Sequence, residues 1–136
     1  MALELHYWQG RGLMEVPRML LALAGKYPGD YVDGRYTTDE ESITETCQHL
    51  RTVDQRLAAN LGRMPLLNVG SESIGQSAAI NFYVAAENGL LGEGNLQAAQ
   101  IMAISEHIKE MNLVGGVSVD AFCCGDARGW FGTCRC

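Results

Sequence analysis

No apolar run in this 136-residue chain approaches the roughly 18 residues that a membrane-spanning helix needs. A secretory leader is not expected either, because Glu4, His6, Gln9 and Arg11 interrupt the start before an apolar stretch can build. Positive charge is in short supply: 10 Lys and Arg stand against 16 Asp and Glu, for a net charge of −6. Nucleic acids and acidic membranes need a basic face, so neither is expected as a partner, and a small ligand is. No repeat of fixed period runs through the chain. Cysteine is unevenly spread, with Cys47 alone and Cys123, Cys124, Cys134 and Cys136 crowded at the end. An odd count without a leader argues against a disulfide framework, and the compartment reads as reducing and cytoplasmic. Adjacent Cys and Cys-x-Cys fit structural zinc spacing poorly, so no metal site is expected.

What the chain does hold is enough for one core and too little for two full-sized domains. Residues 3–8 alternate Leu3, Leu5 and Tyr7 with Glu4, His6 and Trp8, which predicts a strand. Gly10-Arg11-Gly12 breaks it, and Leu13, Met14, Met19, Leu20, Leu21 and Leu23 predict a helix closed by Gly25, with Pro17 tolerated in the first turn. Residues 30–34 read as a short strand, and the polar stretch 38–60 as an exposed helix or two helical pieces. A hairpin over 64–69 and 72–74 turns at Gly70-Ser71, and a helix over 76–88 ends at Asn88-Gly89. The order is βαβ followed by ββα, which gives an α/β fold with a mixed four-stranded sheet and helices on both faces, a thioredoxin-like layout. Its expected span is 3–89. A further helix over 95–112 carries Ile101, Ile104, Ile108 and Met111 on one stripe, and 113–136 reads as an irregular Gly- and Cys-rich tail.

Three places could carry chemistry. Pro65 opens a strand without a donor of its own, and a cis bond before it would leave the Met64 backbone able to pair with something extended. Gln76 and Ser77 stand at a helix start, where free N–H groups and the positive dipole end suit a carboxylate, with the Ser77 hydroxyl alongside. Tyr7 ends the first strand just before the glycine bend, and a phenol donating there favours an anion such as a thiolate. Thioredoxin-like disulfide exchange needs Cys-x-x-Cys after the first strand, and Trp8-Gln9-Gly10-Arg11-Gly12 stands there instead. The site therefore suits activation of a ligand's thiol.

Residues 5–15, with Tyr7, Trp8, Gln9, Gly10, Arg11 and Gly12, and the run Arg18 to Gly25 together resemble the opening of cytosolic glutathione S-transferases of the tyrosine type, nearest the sigma, mu, alpha and pi group. Gly62 to Leu67 and the helix from Gln76 to Tyr83 resemble that family's glutathione site and third helix, so the likeness runs from Leu3 to about Met111. The resemblance implies a transferase that conjugates the glutathione thiolate to small electrophiles, as a homodimer. It implies Tyr7 as the catalytic residue and a glutathione site of Tyr7, Arg56, Arg63, Met64, Pro65, Gln76, Ser77 and Glu106. Arg56 and Arg63 would approach the glycyl carboxylate, Gln76 and Ser77 would hold the γ-glutamyl carboxylate, and Glu106 would reach the partner subunit's γ-glutamyl amine. Glutathione is then the co-substrate, with no metal.

The end of the chain departs from that pattern. Relatives continue past the last apolar helix into an all-helical domain that supplies most of the electrophile pocket, and here 113–136 stands in that place. The resemblance thus implies a chain truncated in its helical domain. The alternative reading is a non-catalytic glutathione-binding or dimerising fragment, and a third is a chain that folds poorly alone.

Overall fold

The computed structural model describes residues 2–26, 29–37, 45, 49 and 56–114. Strand β1 (Leu3–Trp8) leads through a 3-10 turn at Gly12–Met14 into helix α1 (Glu15–Leu23), and strand β2 (Val32–Tyr36) follows. A second 3-10 turn at Arg56–Asn60 precedes the hairpin of β3 (Leu66–Val69) and β4 (Glu72–Gly75). Helices α2 (Ser77–Glu87) and α3 (Gly94–Val114) complete the described chain. The sheet order is β2-β1-β3-β4, with β1 and β2 parallel and the other pairs antiparallel. This is the expected mixed sheet and thioredoxin-like layout.

Alternation sorts the sheet into two faces. Leu3, Leu5 and Tyr7 share one face with Asp33 and Arg35 of β2 and with Leu67 and Ile74, by register. Helices α1 and α2 pack against each other, and Arg18 of α1 meets Asp33, which puts both on that face, whereas the sequence leads one to expect helices on both faces. Leu5, Leu21, Leu67, Ile80 and Val84 are buried in one cluster there. The opposite face carries Glu4, His6, Asn68, Ser73 and Tyr36, linked side by side across all four strands. The Ser73 hydroxyl donates to Asn68 Oδ1 at 2.7 Å, Asn68 Nδ2 lies 3.2 Å from His6 Nε2, and His6 Nδ1 lies 2.8 Å from the Tyr36 hydroxyl. Asn68 Nδ2 also donates to Glu4 at 3.4 Å, and His6 Nε2 lies 3.4 Å from the same carboxylate. His6 is a buried structural link rather than a ligand in waiting.

Several boundaries differ from those read in the sequence. β2 covers Val32–Tyr36 instead of 30–34, because parallel pairing carries it alongside β1 as far as Trp8 opposite Tyr36. β3 starts at Leu66 instead of residue 64, since Leu66 is the first residue with partners on both sides. α1 ends at Leu23, and Gly25 at φ +73 turns the chain so that Lys26 N–H donates to the Leu21 carbonyl at 2.9 Å. Pro17 lies in the first turn of α1, as its missing N–H requires. α3 reaches Val114, past the expected end at 112. Most of the helix expected over 38–60, with Cys47, and residues 115–136 of the expected tail lie outside the described residues, while Arg56–Asn60 is a 3-10 turn.

One buried cation fixes α1 to the sheet. Arg18 donates to Asp33 from Nε at 3.1 and 3.2 Å and from Nη2 at 3.0 Å, and from Nη1 to the Gly10 carbonyl at 3.3 Å. That guanidinium thereby joins α1, β2 and the bend after β1. Asp33→Ala should leave the buried guanidinium to Glu15, 3.9 Å away, and the Gly10 carbonyl, and cost about 3 kcal/mol of unfolding free energy. Arg35→Ala, which removes the half-exposed partner of the same carboxylate, should cost less than about 1 kcal/mol. Urea denaturation of both variants checks the ranking, and equal losses would show that Arg18 does not depend on Asp33.

Candidate functional site

Register brings three separated segments to one end of the sheet. His6, Leu66 and Gly75 form a single row across β1, β3 and β4. One residue further along each strand in the same direction stand Tyr7 on β1, Pro65 before β3 and Gln76 after β4. Residues separated by some 70 positions in the chain therefore share an edge.

Tyr7 is 6% exposed and lies on the helix face. Its hydroxyl rests against Gly12 at the start of the 3-10 turn, where a Cβ would stand 2.7 Å from the phenol oxygen. Gly12 has φ +40, which disfavours any side chain as well. The close approach of β1 and the bend is therefore made possible by one missing methyl.

Met64 and Pro65 are buried, and the bond between them is cis, as the sequence reading anticipated. None of the backbone hydrogen bonds among the described turns and loops engages Met64. Asn60 holds the carbonyls on either side, donating from Nδ2 to Arg63 O at 3.0 Å and to Pro65 O at 2.9 Å. Arg63 N–H in turn donates to the Asn60 carbonyl at 3.1 Å.

Gln76 is the residue before α2 and adopts φ +67, ψ 121, a left-handed conformation that costs a non-glycine residue about 1–3 kcal/mol. Strain of this kind is kept where the surroundings over-determine it. The first helical bond runs from Ile80 N–H to the Gln76 carbonyl at 3.0 Å, so the N–H groups of Ser77, Ala78 and Ala79 have no acceptor within the helix. The Gln76 side chain does not cap them, and the first turn has no acidic residue. Together these leave an uncompensated positive helix end beside the Ser77 hydroxyl.

No protein-family model matches the chain. It is 32% identical over 108 residues to probable glutathione S-transferase 5 of Caenorhabditis elegans, a match covering 79% of this chain and 46% of that protein. Against glutathione S-transferase Mu 4 of Mus musculus the identity is 34% over 93 residues, or 68% of this chain and 41% of the relative. Among solved structures, a nematode-specific glutathione transferase of C. elegans superposes with TM-score 0.68 at 29% identity, covering 82% of this chain and 48% of the other. The chain belongs to the glutathione S-transferase family. It spans about half the length of the relatives it matches.

In this glutathione S-transferase chain, Tyr7, Met64, Pro65, Gln76 and Ser77 stand at the shared sheet end, and Arg63 sits in the loop beside Met64. Arg56 opens the 3-10 turn that ends at Asn60. Glu106 lies apart on α3, where its carboxylate is 3.8 Å from Lys109 on the same helix. Among the described residues, no three His, Cys, Asp or Glu side chains are grouped to hold a metal, and no helix is long and apolar enough to cross a membrane. Two residues that shape the site escaped the sequence reading. Gly12 was visible as part of a glycine bend but not as the floor under Tyr7, and Asn60 appeared only as the end of a polar stretch.

Gly12→Ala should push the Tyr7 ring off its seat and lower stability by about 1–3 kcal/mol through the collision and the positive φ together. A crystal structure of the variant and its urea midpoint report both effects; an unmoved ring with an unchanged midpoint would show that the phenol does not rest on this glycine.

Proposed function

We propose that this chain binds glutathione at the sheet end and lowers the pKa of its thiol for attack on a small electrophile. The tripeptide lies extended along the Met64 backbone, pairing its cysteinyl part there as an added strand would. Its γ-glutamyl carboxylate takes the N–H groups at the start of α2 and the Ser77 hydroxyl, with Gln76 beside it. Arg56 and Arg63 attract the glycyl carboxylate. Tyr7 donates its phenolic hydrogen to the sulfur, and donation to the charged form favours the thiolate over the thiol. The thiol proton passes to solvent, the sulfur lone pair forms a C–S bond with the electrophilic carbon, and the displaced electrons leave with the leaving group or rest on the acceptor. The assembly is a cytoplasmic homodimer in which Glu106 reaches the partner subunit's γ-glutamyl amine.

What supports this reading above all is the row of His6, Leu66 and Gly75, which gathers at one edge a phenol, the Met64 backbone, engaged by no backbone bond among the described turns and loops, and the start of α2. Replacing Tyr7 by Phe keeps the ring and removes the donor. A hydrogen bond to an ionised group is worth about 1.5–3 kcal/mol, so conjugation at neutral pH should fall about ten- to hundredfold while glutathione still binds. The thiol of bound glutathione should ionise at correspondingly higher pH, followed by thiolate absorbance. Conjugation by Tyr7→Phe at the parent rate would remove Tyr7 from the mechanism.

A second reading, a glutathione-binding unit without conjugating activity, is favoured by α3. Leu96, Ile104 and Ile108 on that helix are 73%, 60% and 55% exposed, so its apolar residues do not close over the glutathione side. Retention on immobilised glutathione with no turnover of a generic aryl halide would select this second reading.

A further inference from the structure

We infer that Asn60 is the positioning residue of the glutathione site: one buried carboxamide sets both the Met64 backbone and the chain entering Gln76, without touching the ligand. This rests on the proposed reading of Met64, Gln76 and Ser77 as the glutathione-binding edge.

Asn60 is 4% exposed, and both hydrogen bonds of its Nδ2 go to carbonyls that flank Met64 in the chain, those of Arg63 and Pro65. The nitrogen assignment follows from those partners, because a flipped amide would set Oδ1 against two carbonyl oxygens. In a trans peptide the N–H points opposite to the C=O. The bond between Arg63 and Met64 is trans, so drawing the Arg63 carbonyl toward Asn60 turns the Met64 N–H away from it. A donor on one side of the loop thereby orients the donor offered on the other.

The same side chain meets the second wall. A Cβ on Gly75 would stand 2.5 Å from Asn60 Cβ, 2.7 Å from Cγ and 2.8 Å from Oδ1, so the Asn60 side chain lies against the backbone just before Gln76. Gln76 then enters α2 at φ +67. Asn60 Oδ1, pressed toward Gly75, has no hydrogen-bond partner among the described residues. What Asn supplies here, and an apolar residue of similar size does not, is a pair of N–H groups on a short planar head. Asn60 acts through the ligand-facing groups, as a splint across two segments that the sheet brings together without fixing their orientation.

The test uses the purified full chain, with glutathione affinity from titration calorimetry, bound-thiol ionisation from thiolate absorbance, and all measurements well below each variant's melting temperature. Asn60→Ala should raise the glutathione Kd about tenfold, the loss of two buried donors. The pH at which the bound thiol ionises should stay where the parent has it, since Tyr7 is untouched. Leu57→Ala, in the same 3-10 turn and wholly buried, lowers stability without touching these donors and should leave Kd within about twofold. Asn60→Asp keeps the volume but replaces donors by acceptors; its Kd should exceed that of Asn60→Ala at neutral pH and improve relative to the parent as acid protonates the new carboxyl. If Asn60→Ala does not fold, the acid recovery of Asn60→Asp carries the test. A parent that binds glutathione while Asn60→Ala binds equally well, an Asn60→Asp affinity without acid recovery, or a Leu57→Ala loss matching that of Asn60→Ala, overturns the splint and leaves the glutathione site standing. A parent that does not bind glutathione overturns the site reading itself, and the splint with it.

Discussion

Pairing of Leu66 with His6 on one side and Gly75 on the other is the constraint on which the rest of the site depends. Side chains alternate along a strand, so a slip of one residue in either ladder would turn a whole strand inside out. Tyr7 would pass to the face of His6, and Leu5 and Leu67 would leave the cluster they share with Leu21 and Ile80. The same alternation that buries the leucines therefore aims the phenol. Core packing and site geometry are one requirement here, which is why the site needs so few polar contacts of its own to be assembled.

Around that row, the two faces of the sheet are held by different physics. On the helix face, apolar burial does most of the work, at roughly 25 cal/mol for each Å² removed from water, and the Arg18 and Asp33 pair adds direction by pinning α1 over β2. On the other face, the chain from Ser73 through Asn68 and His6 to Tyr36 crosses the sheet perpendicular to its strands. The chain ties side chains of all four strands together, so a slipped register would break several bonds at once. The polar face thus penalises the wrong pairing that the apolar face alone would resist less sharply.

The sequence made legible those features that are local or periodic. β1 alternates cleanly, the hairpin is marked by Gly70-Ser71, and Gly25 and Gly89 mark the ends of α1 and α2. Tyr7, Met64 and Ser77 could be singled out because each sits where an element begins or ends. The parts that were not legible depend on contacts between segments. β2 was misplaced by two residues because its position is set by β1 across a parallel ladder, not by its own composition. Gly12 looked like a bend, yet its hydrogen in place of a methyl matters because a side chain five residues earlier folds back onto it. Asn60 gave no signal, since its carboxamide is defined by Arg63, Pro65 and Gly75 together.

The core beneath the site is also self-contained, and this bears on what α3 contributes. Among the described residues, the buried apolar cluster lies between Leu5 and Val84, and the partly buried residues packed on it run from Leu3 to Tyr83. α3 begins ten residues later, and its Leu96, Ile104 and Ile108 remain mostly exposed. Removal of α3 from the energetics therefore leaves the phenol, the Met64 backbone and the start of α2 with the same support. The binding edge and the long helix are separable in physical terms: one is fixed by strand register and a closed core, and the other by whatever apolar surface its exposed face meets. Among the described residues, no buried contact in the cluster ties the edge to α3, so the surface beyond α2 can change without disturbing the edge.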